Sequence, residues 1–251
     1  LSEARLVYTI LIVDDEVQIR NILKEFLLMN GNKVVEAKDG KEAVKLMNES
    51  ISLVIIDVNM PNLTGDKACR MLRRKWNCPV IFLTAYGDNE TRIRCYEYGA
   101  DDFVVKPFRY SDIIVHVNAL LRRCYEYDVT NNKQNEKIIT QDINSINNIS
   151  NDTKKDMLID GLIIDKCRRK ITYNDKNIEV TCTEYDIFEF LLKNKGKVFA
   201  IDEIYEAVWQ EKYCKASANT VMVHIRNLRK KLNNTGREFI FNSWGKGYYV
   251  D

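Results

Sequence analysis

Apolar residues enter the first half of the chain as short runs, each followed by a stretch of helical period. Tyr8 to Val13 (YTILIV) is the first run. From Val17 to Met29 the apolar positions Ile19, Ile22, Leu23, Phe26 and Leu27 recur at helical spacing, and Asn30-Gly31 supplies a stop. Lys33–Ala37 predicts a second strand and Gly40–Asn48 a second helix. Leu53-Val54-Ile55-Ile56 then puts four branched apolar residues in a row, the mark of a strand buried on both faces. That strand ends in Asp57, and Met60-Pro61 turns the chain away. Lys67–Lys75 reads as helix, Pro79–Thr84 as strand, Asn89–Tyr98 as helix and Phe103–Val105 as strand. Lys106-Pro107 follows, and Tyr110–Cys124 is an amphipathic helix. Five strands alternating with five helices predict a five-stranded parallel sheet covered on both faces.

The pattern then changes. Tyr125–Asp156 is rich in Asn, Lys, Asp, Ser and Thr, with isoleucines at no clear period, and predicts a flexible linker. Beyond it, short alternations at Leu158–Ile164, Arg169–Tyr173 and Ile178–Val180 predict strands, with a turn at Asn174-Asp175. Thr181-Cys182-Thr183-Glu184 is a capping box opening a helix through Tyr185–Leu192. A second helix is predicted from Asp202 to Trp209 and a third from Ala218 to Leu232. Phe239–Val250 reads as a hairpin around Trp244-Gly245-Lys246-Gly247. The chain thus divides into 1–124, a linker 125–156, and a smaller α+β domain 157–251.

Composition narrows this picture only in places. A chain of 251 residues has room for two cores, and 45% hydrophobic with 29% charged residues is ordinary for a globular protein. A net charge of +2 is too small to mark a nucleic-acid binder, so any such role must rest on a local stripe. No apolar run reaches the ~20 residues of a membrane helix, which argues for a cytoplasmic protein with no membrane partner. The seven cysteines form no Cys-x-x-Cys pair and fit no zinc spacing with the two histidines, so they read as apolar or surface thiols in a reducing compartment.

The chemistry gathers at the carboxyl ends of the predicted strands, where doubly wound sheets place their sites. Those ends carry Asp14 and Asp15, Asp57, Thr84 and Lys106. Carboxylates crowded together repel, by about 4 kcal/mol for two charges 4 Å apart at an effective dielectric near 20. A divalent cation relieves this, and hard oxygen ligands with room for water suit Mg²⁺. Asp57 is then placed to attack phosphorus as a nucleophile, with Lys106 and Thr84 offsetting charge on the phosphoryl oxygens.

IVDDE, IIDVNMPNLTG, LTA and KPF, in that order, resemble the receiver domain of bacterial two-component response regulators, from Tyr8 to Arg123. The resemblance implies a flavodoxin-like fold in which a sensor histidine kinase phosphorylates Asp57. It also implies Mg²⁺ on Asp14, Asp15, Asp57 and the Asn59 carbonyl, Asn59 and Tyr86 flanking the phosphoryl group, and Thr84 and Phe103 as the switch pair. The family usually has Tyr where this chain has Phe103. Activated receivers of the winged-helix subfamily pair through the fourth helix, fifth strand and fifth helix. Here that implies a homodimer using Arg92 with Asp102, and Asp112, with His116 in place of a usual Arg and facing Glu97.

On the third helix of the second half, Val221, Ile225, Leu228 and Leu232 form a core stripe. The other side presents Asn219, Met222, Val223, Arg226, Asn227 and Lys230, a face suited either to a major groove or to solvent. TCTEYDIFEFLL, AVW, TVMVHIRNLRKKL and GKGYYV resemble the winged-helix output domain of the OmpR/PhoB subfamily. The resemblance implies promoter DNA, as direct repeats, read by that helix (Thr220 included) and by a hairpin carrying Trp244 and Lys246. It also implies that RNA polymerase meets the loop containing Gln210, Glu211, Lys212 and Tyr213. The function it implies is a phosphorylation-dependent transcriptional regulator. A DNA-binding regulator with an unused receiver, or an aspartyl-nucleophile phosphatase, are the alternatives; the second wants an acid where this chain has Asn59.

Overall fold

A computed structural model describes residues 6–85, 89–126, 157–159, 161–166, 169–213 and 218–251; Tyr86 and residues 127–156 of the predicted linker lie outside them. The first half runs β1 (Thr9–Val13), α1 (Val17–Met29), β2 (Lys33–Ala37), α2 (Gly40–Leu46), β3 (Ile51–Asp57), α3 (Gly65–Arg73), β4 (Val80–Thr84), α4 (Asn89–Glu97), β5 (Asp102–Val105) and α5 (Tyr110–Leu121). All five strands pair in parallel, in the order β2-β1-β3-β4-β5.

Strand alternation divides the core into two layers. Leu11, Val13, Val54, Ile56 and Phe82 face one way onto Ala43, Ala68 and Leu72 of α2 and α3. Ile10, Ile12, Leu53, Ile55, Ile81 and Leu83 face the other way onto Leu23 and Leu27 of α1 and Val117 and Leu120 of α5. Continuous apolar runs in β1, β3 and β4 are therefore required, since both faces are covered.

Two differences from the sequence reading have local causes. The helix predicted from Lys67 starts at Gly65, because no side chain fits there: a Cβ on Gly65 would lie 2.1 Å from the Asp57 carbonyl oxygen. The domain also extends past Cys124 as a π turn, Arg122–Glu126. Tyr125 there packs on Tyr8, with ring centroids 5.5 Å apart, and donates to the Ser52 carbonyl at 2.9 Å.

The second half holds β6 (Met157–Ile159), β7 (Leu162–Asp165), β8 (Lys170–Tyr173), β9 (Lys176–Ile178), α6 (Cys182–Lys193), α7 (Ile201–Trp209), α8 (Ala218–Asn233), β10 (Phe241–Ser243) and β11 (Gly247–Tyr249). The stretch predicted as one strand, Leu158–Ile164, is two antiparallel strands turning at Gly161, whose φ is +87°. The capping box on α6 forms both its bonds, Glu184 N–H to Thr181 Oγ1 and Thr181 N–H to the Glu184 carboxylate. Val221, Ile225, Leu228 and Leu232 of α8 close a core with Tyr185, Phe188, Leu191 and Ile204. The terminal hairpin is anchored where Gly247 crosses Phe199 so closely that a Cβ would stand 1.9 Å from the Phe199 carbonyl oxygen.

The two halves meet along a seam. Asp101, at the edge of β5, pairs with Arg73 at 2.6 Å and accepts the Thr183 N–H from α6 at 2.9 Å. Asn77 donates to the Arg169 carbonyl at 3.0 Å.

Candidate functional site

The predicted strand-end residues converge. Lys106 Nζ lies 2.8 Å from Asp57 Oδ1 and 2.8 Å from Asp14 Oδ2, so one ammonium holds two buried carboxylates. Backbone amides fix the remaining oxygens: Asn59 N–H donates to Asp57 Oδ2 at 2.8 Å and Glu16 N–H to Asp14 Oδ1 at 2.9 Å. Thr84 is buried beside them, its carbonyl accepting from Lys106 N–H at 2.7 Å. Lys106 owes its position to β5, whose register against β4 sets Val105 opposite Thr84.

Burial raises the Asp57 pKa, outweighing the Lys106 ammonium. On Lys106 burial acts in the opposite sense, but Asp14 and Asp57 outweigh it and its pKa rises. Asp15 departs from the expectation of three crowded carboxylates. It lies exposed, and the third acid near Lys106 is Glu16, at 3.9 Å. Among the described residues no three metal-ligating side chains already form a closed cluster. The donors are open: Asp14 and Asp57 inside, Asp15 and Asn59 exposed at the rim. Hard oxygens with positions left for water fit Mg²⁺.

Phe103 is half-buried, edge-on to Tyr96 of α4 at a centroid distance of 5.9 Å. From Tyr96 the aromatic contacts continue across the seam: Tyr96 to His224 of α8 at 4.6 Å, and His224 to Trp209 of α7 at 5.9 Å. His224 is fully buried, and burial holds its pKa down at about 4. It is the residue sequence reasoning missed, although TVMVHIR widens the apolar stripe of α8 by one turn-neighbour.

The expected DNA-contacting residues divide. Met222, Lys230 and Lys246 are exposed and Trp244 is 89% exposed. Asn219 is half-buried, whereas Thr220 and Val223 are buried. Arg226 pairs with Glu97, and Asn227 Nδ2 donates to the Tyr96 carbonyl at 3.1 Å, both on α4 of the receiver. The face of α8 expected to meet DNA is thus engaged by its own chain.

The expected dimer residues sit beside that contact. Within the chain His116 meets Asp102 at 2.6 Å, and this carboxylate outweighs burial to raise its pKa. The Arg92 side chain lies outside the described residues. Asp102, Asp112 and His116 line a cleft of ≈ 590 Å³ opposite Tyr205, Trp209 and Glu211. In the loop after α7, Gln210 is left-handed at φ 56°, and Tyr213 N–H donates to Glu206 at 3.2 Å, while Lys212 is exposed.

Comparison with known proteins agrees with this geometry. The response regulator receiver domain matches residues 10–118, and the C-terminal domain of transcriptional regulatory proteins matches 175–250. Transcriptional regulatory protein YrkP of Bacillus subtilis is 34% identical over 244 residues, which is 96% of this chain and 97% of that protein. Regulatory protein VanR of Enterococcus faecium is 32% identical over 245 residues, covering 96% and 98%. A solved structure of a RitR C128D variant superposes with a TM-score of 0.74 over 97% of this chain and 99% of that one; at 20% identity it shows the fold alone. No helix among the described residues is long and apolar enough to cross a membrane. With both domains matched and relatives aligned along nearly its whole length, the chain belongs to the OmpR/PhoB-type response regulators, phosphorylation-dependent transcriptional regulators that join a receiver to a winged-helix DNA-binding domain.

Proposed function

We propose that Asp57 is the phosphoacceptor and that its phosphorylation releases α8 from α4 so that α8 can enter a major groove. The observation that carries this is the double hold of Lys106 on Asp57 and Asp14, 2.8 Å to each. A carboxylate oriented by a cation and a backbone N–H is aligned for in-line attack on a phosphohistidine: the Asp57 O–P bond forms as the P–N bond breaks. Asp14, Asp15, Asp57 and the Asn59 carbonyl would hold Mg²⁺, which would supply charge neutralisation at the phosphoryl oxygens. Lys106 and the Thr84 hydroxyl take one phosphoryl oxygen each, and drawing Thr84 inward leaves a space that Phe103 fills.

Phe103 touches Tyr96, and Tyr96 supports His224, so a shift of Phe103 reaches the reader helix through two ring contacts. Release frees Arg226 and Asn227 for DNA and uncovers the face carrying Asp102, Asp112 and His116, through which two receivers pair. The winged helices then bind direct repeats about one turn apart, with Gln210–Tyr213 presented to RNA polymerase in the cytoplasm. Asn favours adenine, so Asn227 reads an A·T-rich site.

Incubation with acetyl phosphate and Mg²⁺ followed by intact mass tests the pocket. Wild type gains one phosphoryl group and Asp57→Asn gains none; equal gain by both transfers the role to another residue.

A further inference from the structure

Arg123 ends the receiver with a charge that the chain leaves half answered. It lies in the π turn Arg122–Glu126, is 4% exposed, and holds its guanidinium 5.3 Å from the Trp209 ring of α7. Ring and cation attract, yet among the described residues its Nε and Nη1 have no hydrogen-bond partner. Two side chains of the winged-helix half share this condition. Arg169 pairs through Nη2 with Asp186 Oδ1, and Arg169 Nε and Asp186 Oδ2 stay buried without partners among those residues. Arg169 Nη1 also donates to the Arg123 carbonyl at 3.1 Å, which fixes the turn carrying Arg123 to Arg169.

All three side chains line one cavity of ≈ 200 Å³ at the seam. A single water needs only about 10–15 Å³ of such space, so the cavity admits a polyatomic ligand. Its lining is positive on balance. Lys166, Lys193 and Glu189 complete the charged groups, and Lys193 lies 3.1 Å from Glu189. Both acids are thus paired, while Arg123 and Lys166 are in surplus. Arg123 also borders the ≈ 590 Å³ cleft, but Asp102, Asp112 and Glu211 there disfavour an anion.

The unmet atoms specify the ligand. Three donors, on Arg123 and Arg169, call for an oxyanion, and the acceptor Asp186 Oδ2 calls for one that still carries a proton. Inorganic hydrogen phosphate meets both needs through the neutral range. Sulfate has no proton to give, and a phosphomonoester loses its last one at about pH 6. We propose that Arg123, Arg169 and Asp186 form a binding site for inorganic hydrogen phosphate, which bridges the two halves of the closed protein. Burial raises the Asp186 pKa against the pull of Arg169 and Arg123, and a donor facing Oδ2 favours the charged form again. Because the site draws on both halves, phosphate binds the closed arrangement better and holds α8 on α4. That consequence rests on the proposed release of α8, whereas binding does not.

The test titrates the full chain with inorganic phosphate at neutral pH, without Mg²⁺, by calorimetry. Saturable binding of one phosphate is expected, with sulfate and glycerol phosphate at least roughly a hundredfold weaker. No binding overturns the site, and equal affinity for sulfate overturns the role of Asp186. Arg123→Gln is expected to weaken binding at least roughly tenfold. Lys166→Ala, a milder change at a half-buried position, should weaken it less, and Asp57→Asn not at all. Affinity unchanged in both Arg123→Gln and Lys166→Ala, or lost in Asp57→Asn, overturns the placement. In Asp186→Asn an amide donor replaces Oδ2, so sulfate is expected to bind as well as phosphate; continued rejection of sulfate counts against the proton-reading carboxylate. Hydrogen exchange in residues 218–233 separates the site from its consequence. It rises when beryllofluoride and Mg²⁺ are added, and phosphate lowers that rise. No rise overturns the release of α8, and a rise that bound phosphate leaves untouched overturns the bridge.

Discussion

The acid pocket and the seam under α8 are built from opposite materials. In the pocket every oxygen of Asp57 and Asp14 has a cation or an N–H to hold it. Along the seam, polar atoms go unmet among the described residues: both ring nitrogens of His224, Nε and Nη1 of Arg123, and the Thr183 hydroxyl. A buried donor or acceptor left without a partner costs about 1–3 kcal/mol. The pocket is thus a settled arrangement, and the seam a compromise that a modest push can undo. A switch needs this division, because a fully satisfied interface would resist any signal the pocket sends.

The comparison breaks most severely where the seam borrows a fully satisfied charge. Asp101 has no exposure; burial pushes its pKa up, but Arg73 together with the Thr183 and Val80 N–H groups brings it below the usual value. Arg73→Ala strands that carboxylate, and removing one partner of a buried pair costs about 3–5 kcal/mol. Urea unfolding is expected to show a loss of that size, together with greater protease access between the domains. A loss under about 1 kcal/mol would mean that water reaches Asp101.

The seam should respond to acid where the pocket does not drive the change. His224 titrates near 6.5 when free and at about 4 in the closed seam. Asp101 and Asp102 from the receiver, Arg123 from the π turn and Lys231 from its own helix all bear on it, but burial dominates. A depressed histidine pKa means that closure binds no proton where the open state does. Closure is therefore complete above pH 6.5 and weakens as pH falls toward 4, by roughly 20-fold between pH 7 and pH 5. His224→Phe should flatten that dependence in a domain-separation measurement; an unchanged slope would show that His224 does not set it.

His116 works in the other direction. Asp102 raises its pKa, so the pair stabilises below pH 6.5 and is lost as pH climbs through the raised value. The smallest effect belongs to the rim. Arg226 with Glu97 is an exposed pair, contributing ~0–1 kcal/mol, so Glu97→Ala should favour the open form by at most about fivefold.

The pocket was legible because parallel strands carry their carboxyl ends to one edge, and four such ends bore chemistry: Asp14, Asp57, Thr84 and Lys106. Adjacency in sequence does not say which of two neighbours turns inward, and here Asp14 is buried while Asp15 stays exposed at the rim. The seam was illegible for a different reason. Val223 and His224 serve equally well as a DNA-facing surface and as a protein-facing one, and periodicity marks amphipathicity without naming the partner. The split at Gly161 was available in the Asp160-Gly161 dipeptide, a strong hairpin signal between apolar residues.

Trp209 stands where both regions are read at once, against His224 on one side and 5.3 Å below the Arg123 guanidinium on the other. Fluorine NMR of the 5-fluorotryptophan-labelled chain, with Trp209 assigned by Trp209→Phe, follows it directly. On adding beryllofluoride and Mg²⁺, the account predicts that the Trp209 resonance moves in wild type and stays in place in Asp57→Asn. A resonance unmoved in wild type, while mass spectrometry shows Asp57 phosphorylated under acetyl phosphate, would contradict the coupling of pocket to reader helix.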